Sequence, residues 1–253
     1  MKIREFANKM DELISPALRC SWDNDGLLCA SDPDREIKKV LATLDVTEAA
    51  VTRAIDGGFD IIISHHPFIF KPISSAVLDD PSQKDLIRLI KSGIGVLSYH
   101  TRLDAAEGGV ADRLCDMIGL GNVEVIGDEG ENILRIGYTN VSDLKEFSTN
   151  VKQALSSPVV TVGDCGRPVH KVAVCPGDGK DFVKTAVSLG ADTYLTGRLS
   201  YNIMCDAKKL GINLIEAGHY FTEKHITEYF SLLCRDICGA ETEIFESFNI
   251  DII

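Results

Sequence analysis

Two histidines stand side by side at the end of an apolar run, in IIISHHPFIF over residues 61–70. Imidazoles serve as general acids and bases, and they are the commonest protein ligands of transition metals. The chain has six histidines. His65 and His66 follow DIII directly; His100 follows IGVLSY, with Asp104 four residues on; His219 follows INLIEAG, with Glu223 four residues on. In parallel α/β sheets, ligands collect beyond the carboxyl ends of the strands. His170 precedes its strand and belongs at the opposite edge. His225 lies two past Glu223 on a helix, which turns it to another side. His65, His66, His100, Asp104, His219 and Glu223 remain as side chains at strand ends that could converge.

Their spacing suggests metal binding. Residues at i and i+4 of a helix share a face with Cβ atoms about 6 Å apart, so His219 and Glu223 suit one ion or a carboxylate bridging two. Adjacent residues of an extended chain point opposite ways, so His65 and His66 suit two neighbouring ions with the chain running between them. A lone strand-end histidine is more often a hydrogen-bonding residue; three strand ends that each supply ligand types favour a metal site. His100 reads equally as a ligand or as a group holding a ligand or a bound water. Mixed imidazole and carboxylate donors suit Zn²⁺, Fe, Mn²⁺ or Ni²⁺, and the absence of thiolate argues against a structural zinc site.

The elements that must position these residues alternate. KKVLATLD reads as a strand, TEAAVTRAID as a helix and FDIIIS as a strand. PSQKDLIRLIKSG is a helix with proline at its start and glycine after its end, followed by the strand IGVLSY and the helix GGVADRLCDMIGL. After a less regular middle, HKVAVCPG, DTYLTG and INLIEAG read as strands separated by helices, with a long helix in TEKHITEYFSLLCRDICG. Apolar runs without polar alternation indicate buried parallel strands. The fold class is α/β, as two packed lobes with mostly parallel sheets. The polar patch GDEGEN near residue 130 is the candidate boundary, giving lobes 1–128 and 129–253 with the last helix free to pack back on the first. No strict internal repeat is visible.

Composition excludes several classes. The formal net charge of −12 argues against general nucleic-acid or membrane-surface binding, which needs a basic face, and leaves room for a local positive site around metal ions. No apolar run reaches the roughly 20 residues of a membrane span, and MKIREFANKMDELI reads as an amphipathic helix, not a signal peptide. A cytoplasmic location is expected. The eight cysteines are scattered without a CxxC pair, so reduced thiols are expected. CPGDGKDF places glycines between a strand and a helix, where a plain tight turn is favoured over a phosphate cradle because the Walker spacing is absent. SWDNDGLLC holds the sole tryptophan, with Asp23 and Asn24 in a turn and a packing role expected.

Taken together, WDNDGLL, DIIISHHPFIF, HTRLDAAEGGVADRL, CPGDGKDFVKTAVSLGADTYLTG and INLIEAGHYFTE resemble the motifs of the GTP cyclohydrolase 1 type 2 homologue family, also called the Nif-three-like family, over nearly the whole chain. The resemblance is to its short form, without the middle insertion domain. It implies a two-lobed subunit, a dinuclear metal site between the lobes with His65, His66, Asp104, His219 and Glu223 as ligands, two divalent ions per subunit, and a ring-shaped homohexamer. The implied activity is metal-dependent hydrolysis of a nucleotide-like or phosphorylated small molecule, with His100 as proton shuttle; for a GTP cyclohydrolase reaction, attack falls on C8 of the guanine. The rival expectation is a metal-binding scaffold or regulator without turnover. Three positions depart from the family pattern: Arg198 stands in TGR where TGD is usual, Asn202 where a histidine is expected, and Arg102 in place of the asparagine of HTNLD. If Arg102 and Arg198 face the cleft, they add positive charge for a small anionic ligand.

Overall fold

The computed structural model describes residues 1–73, 75–128, 131–248 and 250. The chain divides into two compact units: Met1–Leu103 with Ile226–Ile250, and a second beginning at Asp104 and running to His225.

The first unit contains α1 (Ile3–Leu13), β1 (Gly26–Cys29), β2 (Lys39–Thr43), α2 (Glu48–Asp56), β3 (Ile61–Ser64), α3 (Pro81–Ser92) and β4 (Gly95–Ser98). A short helix, α4 (Thr101–Ala105), leads into the second unit, which holds α5 (Val110–Met117), β5 (Gly121–Asp128), β6 (Glu131–Tyr138), α6 (Leu144–Ala154), β7 (Thr161–Gly163), β8 (Lys171–Cys175), α7 (Val183–Ser188), β9 (Thr193–Thr196), α8 (Tyr201–Cys205), α9 (Ala207–Leu210), β10 (Asn213–Glu216) and α10 (His219–Glu223). The chain then returns to the first unit with α11 (Ile226–Cys238) and β11 (Glu241–Phe245).

The first sheet has the order β1-β4-β3-β2-β11. Its four central and returning strands pair in parallel, and β1 joins β4 antiparallel. Every residue of β3 and β4 is buried, which is why both read as unbroken apolar runs. Thr47 caps α2 by accepting from the Ala50 amide at 3.2 Å, so the helix starts where the strand–helix alternation requires. β1 and β11 are edge strands that the sequence reading does not include.

The second sheet departs from a mostly parallel arrangement. Its order is β5-β6-β8-β9-β10-β7. Only β8, β9 and β10 run parallel; β5–β6, β6–β8 and β10–β7 are antiparallel. The patch GDEGEN, which suggests a boundary at 128/129, instead joins β5 to β6. Residues 129 and 130 lie outside the described residues; Asp128 and Glu131 on either side pair in an antiparallel ladder. The divisions fall at 103/104 and 225/226, and α11 belongs with the first unit. Among the described residues, no helix is long and apolar enough to cross a membrane.

Each unit anchors its parallel strands by the same device. The Asp60 carboxylate, just before β3, accepts from the amides of Lys38 and Lys39 at 2.7 and 2.9 Å and from Arg35 Nε at 2.9 Å, while the Asp60 amide donates to Lys39 O. Asp192, just before β9, accepts from the amides of His170 and Lys171 at 3.0 and 2.7 Å, and its own amide donates to Lys171 O. A left-handed glycine precedes each aspartate by two residues, Gly58 at φ 63° and Gly190 at φ 75°. In both, a lysine of the preceding strand donates to the carbonyl one residue before that glycine, Lys39 to Gly57 O and Lys171 to Leu189 O. Two strands therefore enter each sheet in fixed register.

Replacing either carboxylate by an amide leaves donors facing a poorer acceptor. Asp60→Asn and Asp192→Asn are each expected to lower stability by about 2 kcal/mol in urea denaturation. Burial raises the Asp60 carboxyl, and the Lys38 and Lys39 amides with Arg35 lower it further than burial raises it. The net depression means that its contribution is fully present above the ordinary value of 3.8 and fades as pH falls below it. Asp60→Asn should therefore flatten the acid limb of stability against pH, and an unchanged acid limb would refute this assignment.

Candidate metal centre

The chain bends as it leaves β3. His65 and His66 lie beyond the last ladder residue, in a turn where the His66 amide donates to Leu44 O and the Ser64 hydroxyl donates to His66 O. The alternation of an extended strand no longer applies there. The two rings do not point opposite ways: their centroids are 5.1 Å apart, tilted by 46°. His100, at the start of α4, completes a triangle at 5.3 Å from His65 and 5.7 Å from His66. One nitrogen of each of the three lies within 4.8 Å of the others.

All three rings are held by the same nitrogen. His65 Nδ1 is 2.9 Å from Tyr99 O, His66 Nδ1 is 2.7 Å from Asp45 Oδ1, and His100 Nδ1 is 2.8 Å from Asp23 Oδ1. A carbonyl or carboxylate oxygen only accepts, so Nδ1 carries the proton and the neutral ring has its lone pair on Nε2. Metal-binding histidines are oriented in this way, with the second nitrogen donating to a carbonyl or carboxylate. Asp23 is therefore more than a turn residue. It accepts from His100, from the Thr101 amide at 3.1 Å and from the Thr101 hydroxyl at 2.6 Å. Burial pushes its carboxyl up, and the hydrogen bonds and charge of His100 with those of Thr101 outweigh this, leaving it at about 2.

In the second unit, α10 turns its first and last residues to one face, and His219 Nε2 lies 3.0 Å from Glu223 Oε2. Glu223 is 3% exposed and Asp104 6%, and their carboxylate oxygens lie within 4.8 Å of each other. Two buried carboxylates this close repel, and a cation offsets both charges. The surrounding loops are shaped to admit them. A Cβ on Gly177 would stand 2.2 Å from Glu223 Oε1 and 3.2 Å from His219 Nε2, and one on Gly197 would stand 2.6 Å from Gly177 O. The CPGDG segment is a tight turn: the Gly177 and Gly179 amides are taken by the Thr222 and Thr196 hydroxyls. Two of the amides that a phosphate cradle would need are thus already taken.

The remaining residues separate. Arg102 does not face a cleft. It is 1% exposed, donates to Asp25 at 3.0 Å, Asp11 at 2.7 Å and Ile14 O at 3.0 Å, and lies over the Tyr99 ring at 4.6 Å. Its guanidinium fixes the loop before β1 and has a structural role where substrate binding was a natural reading of its charge. Arg198 is exposed. His225 is a core residue whose Nε2 meets Val110 O at 3.2 Å; burial lowers its pKa to about 4. Arg135, an ordinary strand residue in the sequence, is fully buried and donates to Asp112 and to the carbonyls of Asn132 and Ala105. It thereby fixes the segment that follows Asp104. Its position in an apolar strand is the one sequence signal of that role.

Gly177 allows a direct test of the carboxylate cradle. Gly177→Ala should lower divalent-metal affinity by about 10–100-fold in chelator competition, because Glu223 must move. Gly190→Ala carries the same left-handed backbone penalty with nothing within 4 Å of the new Cβ, so it should cost about 1–2 kcal/mol of stability and no affinity. Equal affinities in both variants would exclude the cradle.

The sequence profile described as Duf34/NIF3 (NGG1p interacting factor 3) matches residues 1–248. A Clostridium perfringens protein named GTP cyclohydrolase 1 type 2 homolog is 31% identical over 230 residues, covering 88% of this chain and 87% of its own. NGG1-interacting factor 3 of Saccharomyces cerevisiae is 32% identical over 230 residues, with 81% and 80% covered. The crystal structure of a Staphylococcus aureus hypothetical protein superposes with a TM-score of 0.87 at 26% identity, covering 100% of this chain and 98% of the other. With two oriented donor sets on such a scaffold and a profile match across almost its full length, the chain belongs to the Duf34/NIF3 family.

Proposed function

We propose that this protein is a divalent-metal-dependent hydrolase of a small, phosphorylated, nucleotide-like molecule. The observation that carries the reading is the shared orientation of His65, His66 and His100, each with Nδ1 committed to an oxygen. His65, His66, Asp104, His219 and Glu223 would hold two ions, drawn from Zn, Fe, Mn or Ni. Bound divalent ions supply polarisation of water and of substrate oxygens.

The remaining roles fall to the chain's own residues. Asp23 orients the His100 ring and offsets the charge of its imidazolium form. His100 takes a proton at Nε2 from the attacking water and returns it to the leaving group. Arg198, exposed and close enough to Lys180 for their charges to interact, meets an anionic substituent. The names of the bacterial relatives support a guanine nucleotide as the first substrate to try. The family resemblance also supports assembly as a homohexamer, which light scattering at micromolar protein would report; a monomer would end that reading.

The deciding experiment loads the protein with each metal and screens nucleotides and phosphoesters for turnover, with Glu223→Ala as control. Metal-dependent rates absent from the control are expected. Rates equal to the control on every substrate would favour a scaffold without turnover, a reading to which Arg198 and Asn202 lend weight by departing from the family pattern. On any substrate found, Asp23→Asn should lower kcat by about 100-fold with metal content unchanged, and Arg198→Gln should raise KM about tenfold with kcat held.

A further inference from the structure

Large aromatic side chains normally bury most of their surface, because each removes a large apolar area from water. The sole tryptophan does not: Trp22 is 52% exposed, and Phe70, from the loop after β3, is 45% exposed. The two rings stand edge to face at 6.2 Å, and each meets His100 edge to face, Trp22 at 6.0 Å and Phe70 at 6.5 Å. The packing role expected for this tryptophan is therefore not what it has. Two exposed rings flank a histidine whose other side is fixed by Asp23.

The loops that carry the two rings are tied down before any ligand arrives. Asn24 Nδ2 donates to Ile69 O, which ties the tryptophan loop to the phenylalanine loop. The Cys20 amide donates to Thr101 Oγ1 at 3.0 Å, and the Phe68 amide to Ser98 Oγ at 3.3 Å, so one loop is fixed to the start of α4 and the other to the end of β4. Little loop freedom is then lost on binding, which is how preorganised surfaces gain affinity. Phe70 also lines a hollow of about 270 Å³ with Phe68, Lys71, Gln83 and Leu86, giving ring substituents room and polar partners.

We infer that Trp22 and Phe70 form a stacking platform for a planar heteroaromatic ring, and that this ring belongs to the ligand on which the histidine cluster acts. Stacking on aromatic faces tolerates different rings, since every base has a π-face; the platform selects for flatness, and the polar groups around it select among rings. The identity of the ligand's reacting end rests on the hydrolase reading above, whereas the stacking stands on these rings alone.

Trp22 is the single tryptophan, so intrinsic fluorescence reports the platform without any assay of activity. Guanosine, adenosine, cytidine and uridine are titrated in turn, with ribose 5-phosphate and inorganic phosphate as controls. Saturable quenching by at least one nucleoside and none by the controls is expected. Phe70→Ala should weaken the half-saturation about tenfold or more with an unchanged circular dichroism spectrum; Trp22→Phe should retain nucleoside binding by calorimetry and Trp22→Ala should lose it. Saturable quenching in a protein that turns over nothing would support the platform while ending the hydrolase reading. Turnover of ribose phosphates with no nucleoside quenching would do the reverse. Emission that shifts to the blue with protein concentration and ignores all four nucleosides would assign the rings to contact between copies and overturn the inference.

Discussion

An imidazole offers a lone pair at one nitrogen only while its proton sits on the other, and in a protein that proton needs an acceptor. This requirement organises the first unit. His65 is served by a backbone oxygen of β4's continuation, His66 by Asp45 beyond β2, and His100 by Asp23 before β1. Three of the sheet's strand ends are thus held to the histidines as firmly as the histidines are held to them. Ser64 and Ser98 share a hydrogen bond at 2.8 Å, closing the floor beneath the cluster. The second unit meets the complementary requirement, room for carboxylates, by removing side chains at Gly177 and Gly197.

The two units solve their framework problem identically although their sheets differ. An aspartate before the second parallel strand takes the amides at the start of the first, after a left-handed glycine, in each. At the far end, the Tyr99 amide donates to Ser64 O and the Ala217 amide to Thr196 O. His100 and Gly218 thereby fall at equivalent places, just before α4 and α10. One position carries an imidazole, and the other carries a glycine at φ 89° that sets His219 one residue later. No repeat is visible in the sequence because only the aspartates, glycines and apolar runs need to match.

What was legible in the sequence was whatever depends on neighbours along the chain. Apolar runs marked the buried strands, and the residues just after them marked His65, His66, His100, Asp104, His219 and Glu223. What was not legible depends on partners far away. Asp23 meets His100 across 77 positions and Arg102 meets Asp11 across 91, so neither the orienting role of one nor the burial of the other leaves a local signal. Edge strands β1 and β11 escaped for a related reason: each is short and half exposed, and its identity comes from its neighbour's ladder. A positive charge such as Arg102 invites assignment to an anionic ligand until the buried acids that enclose it are seen.

The returning segment also bears on how the chain is made. β11 pairs with β2, and its Glu243 holds Arg53 at a separation of 190 residues. During synthesis, domains fold as units from the N-terminus onward. Here the second unit is contiguous from Asp104 to His225, whereas the first lacks β11 until the whole of the second has been made. Until then β2 presents an open ladder of amides and carbonyls, the kind of edge that invites pairing with another nascent chain. The first unit, though begun before the second, is therefore completed after it, and β11 acts as the cover for a sheet whose other strands are already made.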